Sequence, residues 1–391
     1  MHDQVVNFTY NTPTKVLFGK DAINGLPSEM APYGKRVLLV YGGGSIKKTG
    51  LYDTVKTLLK DFELFELSGV EPNPRITSVR EGGRICREQK IDMVLAVGGG
   101  SVLDCAKVIC DAPFYDGDPW DLVIDSSKIT KALPLFTVLT LAATGSEYDS
   151  AAVITNLETN EKIGVLNPLN YPKVSVLDPT YTLTVSKKQT AAGSADIMSH
   201  IFEQYFVDGS CMVTEGLCES VLRSVIKFAK IAYDNGNDYT ARANLMWSSS
   251  LACNGICQMG SEYGAWVCHA IEHELSAYYD ITHGEGLALL TPVLMRYTLN
   301  DKSVKRYAYF ANRVFGIELN DDLYVTAKAG IEALEQFFAS IGLPKTLRDV
   351  GIDSKEKFDA MAEHACKCFP LDKAFVPLTP AQVREILDLA F

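Results

Sequence analysis

The sequence predicts an α/β domain built on a parallel sheet in its first half and an all-helical domain in its second. Three observations predict it. Short apolar runs alternate with amphipathic stretches up to about residue 180, long helical periodicity with few β-branched runs takes over from about Ser186, and 391 residues exceed one ordinary core, since roughly 100–200 residues per domain is usual.

Taken in order, Val37-Leu38-Leu39-Val40-Tyr41 reads as a buried strand, Leu51 to Leu59 as a helix, Met93 to Val97 as a second strand and the stretch from Ser101 as a second helix. Such alternation implies crossover helices and parallel strands. Leu135 to Leu141 and Val174 to Leu177 add two more strands, the last stopped by Pro179. Helical periodicity then runs through Ala191–Phe206, Glu215–Tyr233, Ala241–Met259 and Ala265–Tyr278, with Ile281 to Gly284 expected as a loop. There is no internal repeat or low-complexity linker. The expected division is 1–185 and 186–391, joined tightly beside a cleft of the sort ligands favour.

Composition narrows the function. Hydrophobic residues make up 47% and charged residues 22%, values of a soluble globular chain rather than a disordered or fibrous one. A net charge of −11 with no basic stripe argues against nucleic acid. The first eleven residues lack a secretory pattern, and no apolar run reaches membrane-spanning length. Ten cysteines without a Cys-x-x-Cys knuckle suit a reducing compartment, so a cytoplasmic location is expected. Cys253 and Cys257, one helical turn apart, and Cys366 and Cys368, flanking one lysine, read as inert buried thiols.

Two glycine turns carry chemistry. Gly98, Gly99, Gly100 and Ser101 follow a strand and open a helix that holds Asp104 and Lys107. Glycines admit close backbone approach and helix N–H groups attract phosphate, so this is the candidate pyrophosphate loop despite lacking Gly-x-Gly-x-x-Gly spacing. Gly42, Gly43, Gly44 and Ser45 follow the first strand, where an adenosine ribose would lie in a doubly wound, Rossmann-like sheet. No carboxylate ends that strand, and Lys47 and Lys48 follow, which favours NADP(H) over NAD(H).

Only six histidines occur, and His269, His273 and His283 fall within fifteen residues. Asp196 and His200 are four apart in a helical stretch, which puts both on one face; His269 and His273 repeat the spacing. One carboxylate and three imidazoles form a mixed shell suited to Fe²⁺ or Zn²⁺ with a position left open. His2 and His364 read as surface residues.

On these residues, and on Ala143-Thr144-Gly145-Ser146-Glu147 and Thr190-Ala191-Ala192-Gly193, the chain resembles the iron-containing (group III) alcohol dehydrogenases over nearly its whole length, and within them the butanol dehydrogenase branch. The resemblance implies a Rossmann-like domain followed by a helical one, as in the dehydroquinate synthase-like fold. It implies one divalent ion, Fe²⁺ ahead of Zn²⁺, on Asp196, His200, His269 and His283, with His273 lining the pocket as the candidate proton carrier. It further implies that Gly98 to Ser101, with Asp104 one turn on, bind pyrophosphate and that Thr140, Thr144 and Lys162 lie along the cofactor. On composition alone Lys162 is an ordinary exposed lysine. The substrates expected are primary alcohols and aldehydes such as butanol and butanal, and relatives form homodimers through N-terminal strands, here around Phe8–Phe18. Two rivals are a zinc-dependent polyol dehydrogenase of the same superfamily, and a non-enzymatic protein braced by nucleotide and metal.

Overall fold

A computed structural model describes residues 4–209 and 211–391; His2 lies outside them. The sheet unit comprises Asn11–Val185 together with Asn237–Ser250, and the helical unit comprises the segment ending at Tyr10, Ser186–Gly236 and Leu251–Phe391.

In the sheet unit, β1 (Lys15–Phe18), β2 (Arg36–Tyr41), β3 (Glu63–Leu67), β4 (Met93–Gly98), β5 (Leu135–Leu139) and β8 (Val174–Leu177) form one parallel sheet in the order β1-β8-β5-β4-β2-β3. An antiparallel hairpin, β6 (Ala151–Asn156) and β7 (Glu161–Leu166), stands apart from it. Alternate residues leave a strand on opposite faces. Leu38, Val40, Val94 and Ala96 therefore enter one core, and Val37, Leu39, Met93 and Leu95 enter another. Burial on both faces is why these strands read as unbroken apolar runs.

Two strands expected from the sequence have the extent read there, Val174 to Leu177 and, to within a residue, Val37 to Tyr41. The run from Leu135 stops at Leu139 rather than Leu141; the Thr140 amide gives the last bond of the ladder to β4, to the Gly98 carbonyl at 3.0 Å. Strand β3 was not legible. It lies at the sheet edge, and its glutamates at 63 and 66 break the apolar pattern.

Helices α1 (Leu51–Leu58), α2 (Ile76–Glu88) and α3 (Gly100–Asp111) are the sheet unit's crossovers. The helical unit is built from α4 (Lys187–Tyr205), α5 (Met212–Asp234), the end of α6 (Tyr239–Cys253), α7 (Val267–Tyr279), α8 (His283–Tyr297), α9 (Val304–Phe315), α10 (Leu323–Ser340), α11 (Phe358–Cys368) and α12 (Pro380–Ala390). Ser186 starts α4, its hydroxyl accepting the Gln189 amide at 3.2 Å. Periodicity suggested one helix from Ala241 to Met259, but it stops at Cys253; Gly255, at φ 90°, turns the chain into a short 3₁₀ turn over Ile256–Gln258. Cys253 and Cys257 therefore do not share a helix.

Asp111 ends α3 in a buried setting. One oxygen accepts from the Asn170 amide at 3.1 Å, the other has no hydrogen-bond partner, and burial raises the carboxyl to about 8. A raised acid binds its proton in the folded chain at pH values where the unfolded chain has released it. Stability therefore falls as pH climbs from about 4 towards about 8, by at most about 1.4 kcal/mol per pH unit for one proton. Asp111→Asn is expected to gain stability relative to the wild type across that window, measured by urea unfolding at stepped pH. Parallel curves for the two proteins would remove Asp111 as the source.

Candidate metal centre and cofactor loops

Three helices of the helical unit converge on Asp196. It sits on α4 with His200 one turn on, and His269 comes from α7. His283 was expected in a loop but is the first residue of α8, with Thr282 before it as cap. Measured from Asp196 Oδ1, the Nε2 atoms of His200, His269 and His283 lie 3.5, 3.8 and 3.7 Å away. Four ligands placed tetrahedrally at about 2.1 Å from one ion would be about 3.4 Å apart, close to these three separations from Asp196, and the ligand atoms of Asp196, His200 and His269 all lie within 4.8 Å of one another. Asp196 Oδ1 and His269 Nε2 are both buried with no hydrogen-bond partner, a cost that a cation in the middle would remove. The donor set fits a divalent ion.

What brings α8 so close to α4 is the absence of side chains. A Cβ on Gly284 would fall 2.0 Å from the Ala192 carbonyl oxygen. Backbone meets backbone there, and His283, next in sequence, is delivered to the centre.

The charges agree with this packing. Burial alone would raise the Asp196 carboxyl, but the three imidazoles outweigh it and hold it well below the usual range. Burial pushes His200 down to about 4. It opposes a charge on His269 too, yet the carboxylates of Asp196 and Glu203 facing its two nitrogens prevail and lift that imidazole to about 9.

Two of the acids in this arrangement escaped the sequence reading. Glu203 Oε1 faces His269 Nδ1 at 3.3 Å and accepts the backbone amides of Cys268 and His269 at 2.7 and 3.1 Å, which ties down the start of α7. Glu272, fully buried, accepts from Ser276 and pairs with His283 Nδ1. Acids on the far nitrogen fix an imidazole's tautomer and orientation. For Glu203 a signal existed: 196, 200 and 203 follow one helix face. His273 lies beside the group, its ring 6.3 Å from His269 and 5.7 Å from His283, and a ligand atom of its own lies within 4.8 Å of one from Glu272 and one from His283. His364 is not the free surface residue expected; its Nδ1 meets Glu274 at 2.7 Å.

In the sheet unit, Gly98 ends β4 and Gly99 and Gly100 open α3, the strand, turn and helix of a phosphate loop. A Cβ on Gly100 would lie 2.3 Å from Thr144 Oγ1, so that glycine is required by the loop packed on it. Asp104 has both oxygens engaged, by Ser146 Oγ at 2.6 Å and the Val153 amide at 2.9 Å. Lys107, fully buried, pairs with Asp149 at 2.6 Å and donates to the Ala151 carbonyl at 2.7 Å. These bonds fasten the segment carrying Thr144, and the hairpin after it, to α3. Thr140 and Thr144 are partly buried, and Lys162, against its compositional reading, is buried on β7. Gly43 and Gly44 have nothing within 4 Å of a Cβ position. Lys47 lies over the rings of Tyr41 and Tyr52, 5.1 and 4.8 Å from their centroids, while both hydroxyls donate to Glu66.

Comparison with known proteins agrees with these features. The family model for iron-containing alcohol dehydrogenase matches residues 13–179, and that for the Fe-containing alcohol dehydrogenase family, C-terminal, matches residues 190–391. The NADH-dependent butanol dehydrogenase A of Clostridium acetobutylicum is 54% identical over 93% of this chain and 94% of its own. The NADPH-dependent aldehyde reductase YqhD of Escherichia coli is 39% identical over 89% of this chain and 90% of its own. A crystal structure of the NADH-dependent butanol dehydrogenase A of Thermotoga maritima superposes over the full length of both chains with a TM-score of 0.94 at 41% identity.

Proposed function

The chain belongs to the iron-containing alcohol dehydrogenases, and from that premise we propose that it interconverts primary alcohols and aldehydes of the butanol and butanal class on a cation held by Asp196, His200, His269 and His283. The observation that carries the reading is the spacing of three imidazole nitrogens around Asp196 Oδ1, with Asp196 Oδ1 and His269 Nε2 both buried and without a hydrogen-bond partner. Fe²⁺ is favoured by the family and Zn²⁺ suits the same donors. Bound there, the cation supplies Lewis-acid polarisation of the substrate oxygen, and the nicotinamide carries the hydride.

The chain's own residues orient and neutralise. Glu203 and Glu272 aim two of the ligating rings, and Asp196 supplies the negative charge at the centre. His273, whose type titrates near neutrality, moves the proton between substrate oxygen and solvent. Gly98 to Ser101 take the pyrophosphate, Thr140, Thr144 and Lys162 follow the cofactor, and Asp104 holds the segment that presents Thr144. Free thiols at all ten cysteines support a cytoplasmic setting, and β1, at the sheet edge, is the surface proposed for a homodimer. Among the described residues no helix is long and apolar enough to cross a membrane.

Two readings of cofactor choice compete. The open space at Gly43 and Gly44 and the exposed Lys48 support NADP(H); the engagement of Lys47 by two tyrosines, and the NADH-dependence named for the Clostridium relative, support NAD(H). Side-by-side rates with NADPH and NADH on butanal, together with metal analysis of anaerobically purified protein, test the whole proposal; glycerol as alternative substrate tests the polyol rival. Full turnover after complete removal of metal would end the metal reading. Gly42→Asp is expected to lower kcat/KM for NADPH about a hundredfold and for NADH far less, because a carboxylate there repels a 2′-phosphate and bonds a 2′-hydroxyl. Equal losses with both cofactors would place the ribose elsewhere.

A further inference from the structure

Two of the three ligating rings are steered by an acid, and the third is not. Glu203 faces His269 Nδ1 and Glu272 faces His283 Nδ1, but His200 Nδ1 is buried with no hydrogen-bond partner among the described residues. A ring without such a partner has no bond to fix its rotation, so its neighbours have to hold Nε2 towards the centre. The neighbours are aromatic. His200 lies nearly parallel to His269, with 4.9 Å between centroids and 16° between planes. Trp266 stands across both rings, 5.9 Å from His200 and 5.1 Å from His269, at interplanar angles of 61° and 71°.

Trp266 holds this place against the preference of its own backbone. It precedes α7 at φ 55° and ψ 47°, the left-handed region in which glycine or asparagine is at ease and a bulky residue is an outlier. Its side chain does not cap the helix; Glu203 Oε1 accepts the Cys268 and His269 amides instead. The approach of this segment to α4 is set two residues earlier. A Cβ on Gly264 would fall 2.1 Å from the Glu203 carbonyl oxygen, so backbone lies on backbone there and the indole is laid against one ring from α4 and one from α7. A strained tryptophan that caps nothing is explained by what its ring touches, and it touches two ligands.

We propose that Trp266 is a positioning residue of the metal centre, its indole bracing the His200–His269 stack and doing for His200 what Glu203 and Glu272 do for the other two rings. The role rests on the ligand assignment made above. With the brace in place His200 is already aimed when an ion arrives, and binding does not have to order it. Without it the ion keeps three firmly held ligands and one loose one.

The test loads metal-stripped enzyme with Co²⁺, which takes the same donors as Fe²⁺ and Zn²⁺ and whose visible absorption reports ligand number and geometry. Its dissociation constant is measured against a competing chelator, with urea unfolding of the metal-free proteins alongside. Trp266→Gly, which suits the left-handed backbone, and Trp266→Leu, which keeps apolar bulk without a flat ring, are each expected to weaken Co²⁺ binding about ten- to a hundredfold and to change its absorption band. Trp266→Phe is expected to stay within about threefold of the wild type, because a ring is still there to brace the stack. A purely structural tryptophan would lower the urea midpoint and leave the folded protein's affinity and absorption band as they were. That result in Trp266→Gly or Trp266→Leu, whichever folds, overturns the brace alone. Wild-type protein that takes up no Co²⁺ overturns the ligand assignment, and the brace with it.

Discussion

Replacing His269 with alanine should abolish metal retention and lower turnover by on the order of a thousandfold or more, the scale on which a bound cation acts in reactions of this type. Two losses combine. The shell drops to three ligands, and Asp196 loses the imidazole that shares its buried charge and also bonds Glu203. Glu203→Gln is the informative companion. It keeps the shape and the cage but removes the charge behind His269, and a loss of about ten- to a hundredfold in metal affinity is expected. Metal content by elemental analysis and rates on the same preparations read both out. A His269→Ala protein that turns over normally while metal-free would sink the ligand assignment, whereas one that keeps its metal but loses activity would move His269 from ligand to positioning residue.

Gly284→Ala is expected to destabilise the protein by about 3 kcal/mol or more, opposite in sign to the usual gain of about 0.5–1 kcal/mol when alanine replaces glycine inside a helix. The reason is the 2.0 Å approach of the added methyl to the Ala192 carbonyl, an atom that cannot move without displacing α4. Since α4 carries Asp196 and His200 and α8 begins at His283, the same displacement opens the cage. Denaturant unfolding and metal retention should therefore fail together. Wild-type stability in Gly284→Ala would show that the two helices slide apart freely and that their approach does not set the site.

How much of this was legible depended on whether the signal was local. The central strands could be read because both faces are buried, which leaves no polar residue to break Val37–Tyr41 or Met93–Val97. The hairpin of β6 and β7 could not, since its polar turn and half-exposed positions blur the alternation. Asp196 and His200 were legible because four residues is one helical turn, and Glu203 would have been by continuing the count. His283 was found by clustering, but its neighbours Gly284, Glu285 and Gly286 resemble a loop. That α8 starts there depends on a contact with Ala192, nearly a hundred residues earlier, and no local pattern reports it. Glu272 and Glu274 look like ordinary helix glutamates until the helices around them are in place.

The path of the chain has a consequence for its synthesis. The sheet unit is completed by Asn237–Ser250, which contributes Met246 to the core beneath β2 and β4, sets Trp247 against Phe18 and Tyr148, and bonds Ser250 to Glu147. A ribosome that has finished the last strand at Leu177 has therefore not finished the domain, and the nascent sheet must wait for more than seventy further residues, α4 and α5 among them, before its core closes. At about 5–20 residues per second that is a delay of several seconds with an apolar surface uncovered, a window in which holding chaperones have something to bind. Stalled chains released after Ser250 should resist protease in the sheet region where chains released after Val185 do not; equal sensitivity would mean that the sheet closes without its late segment.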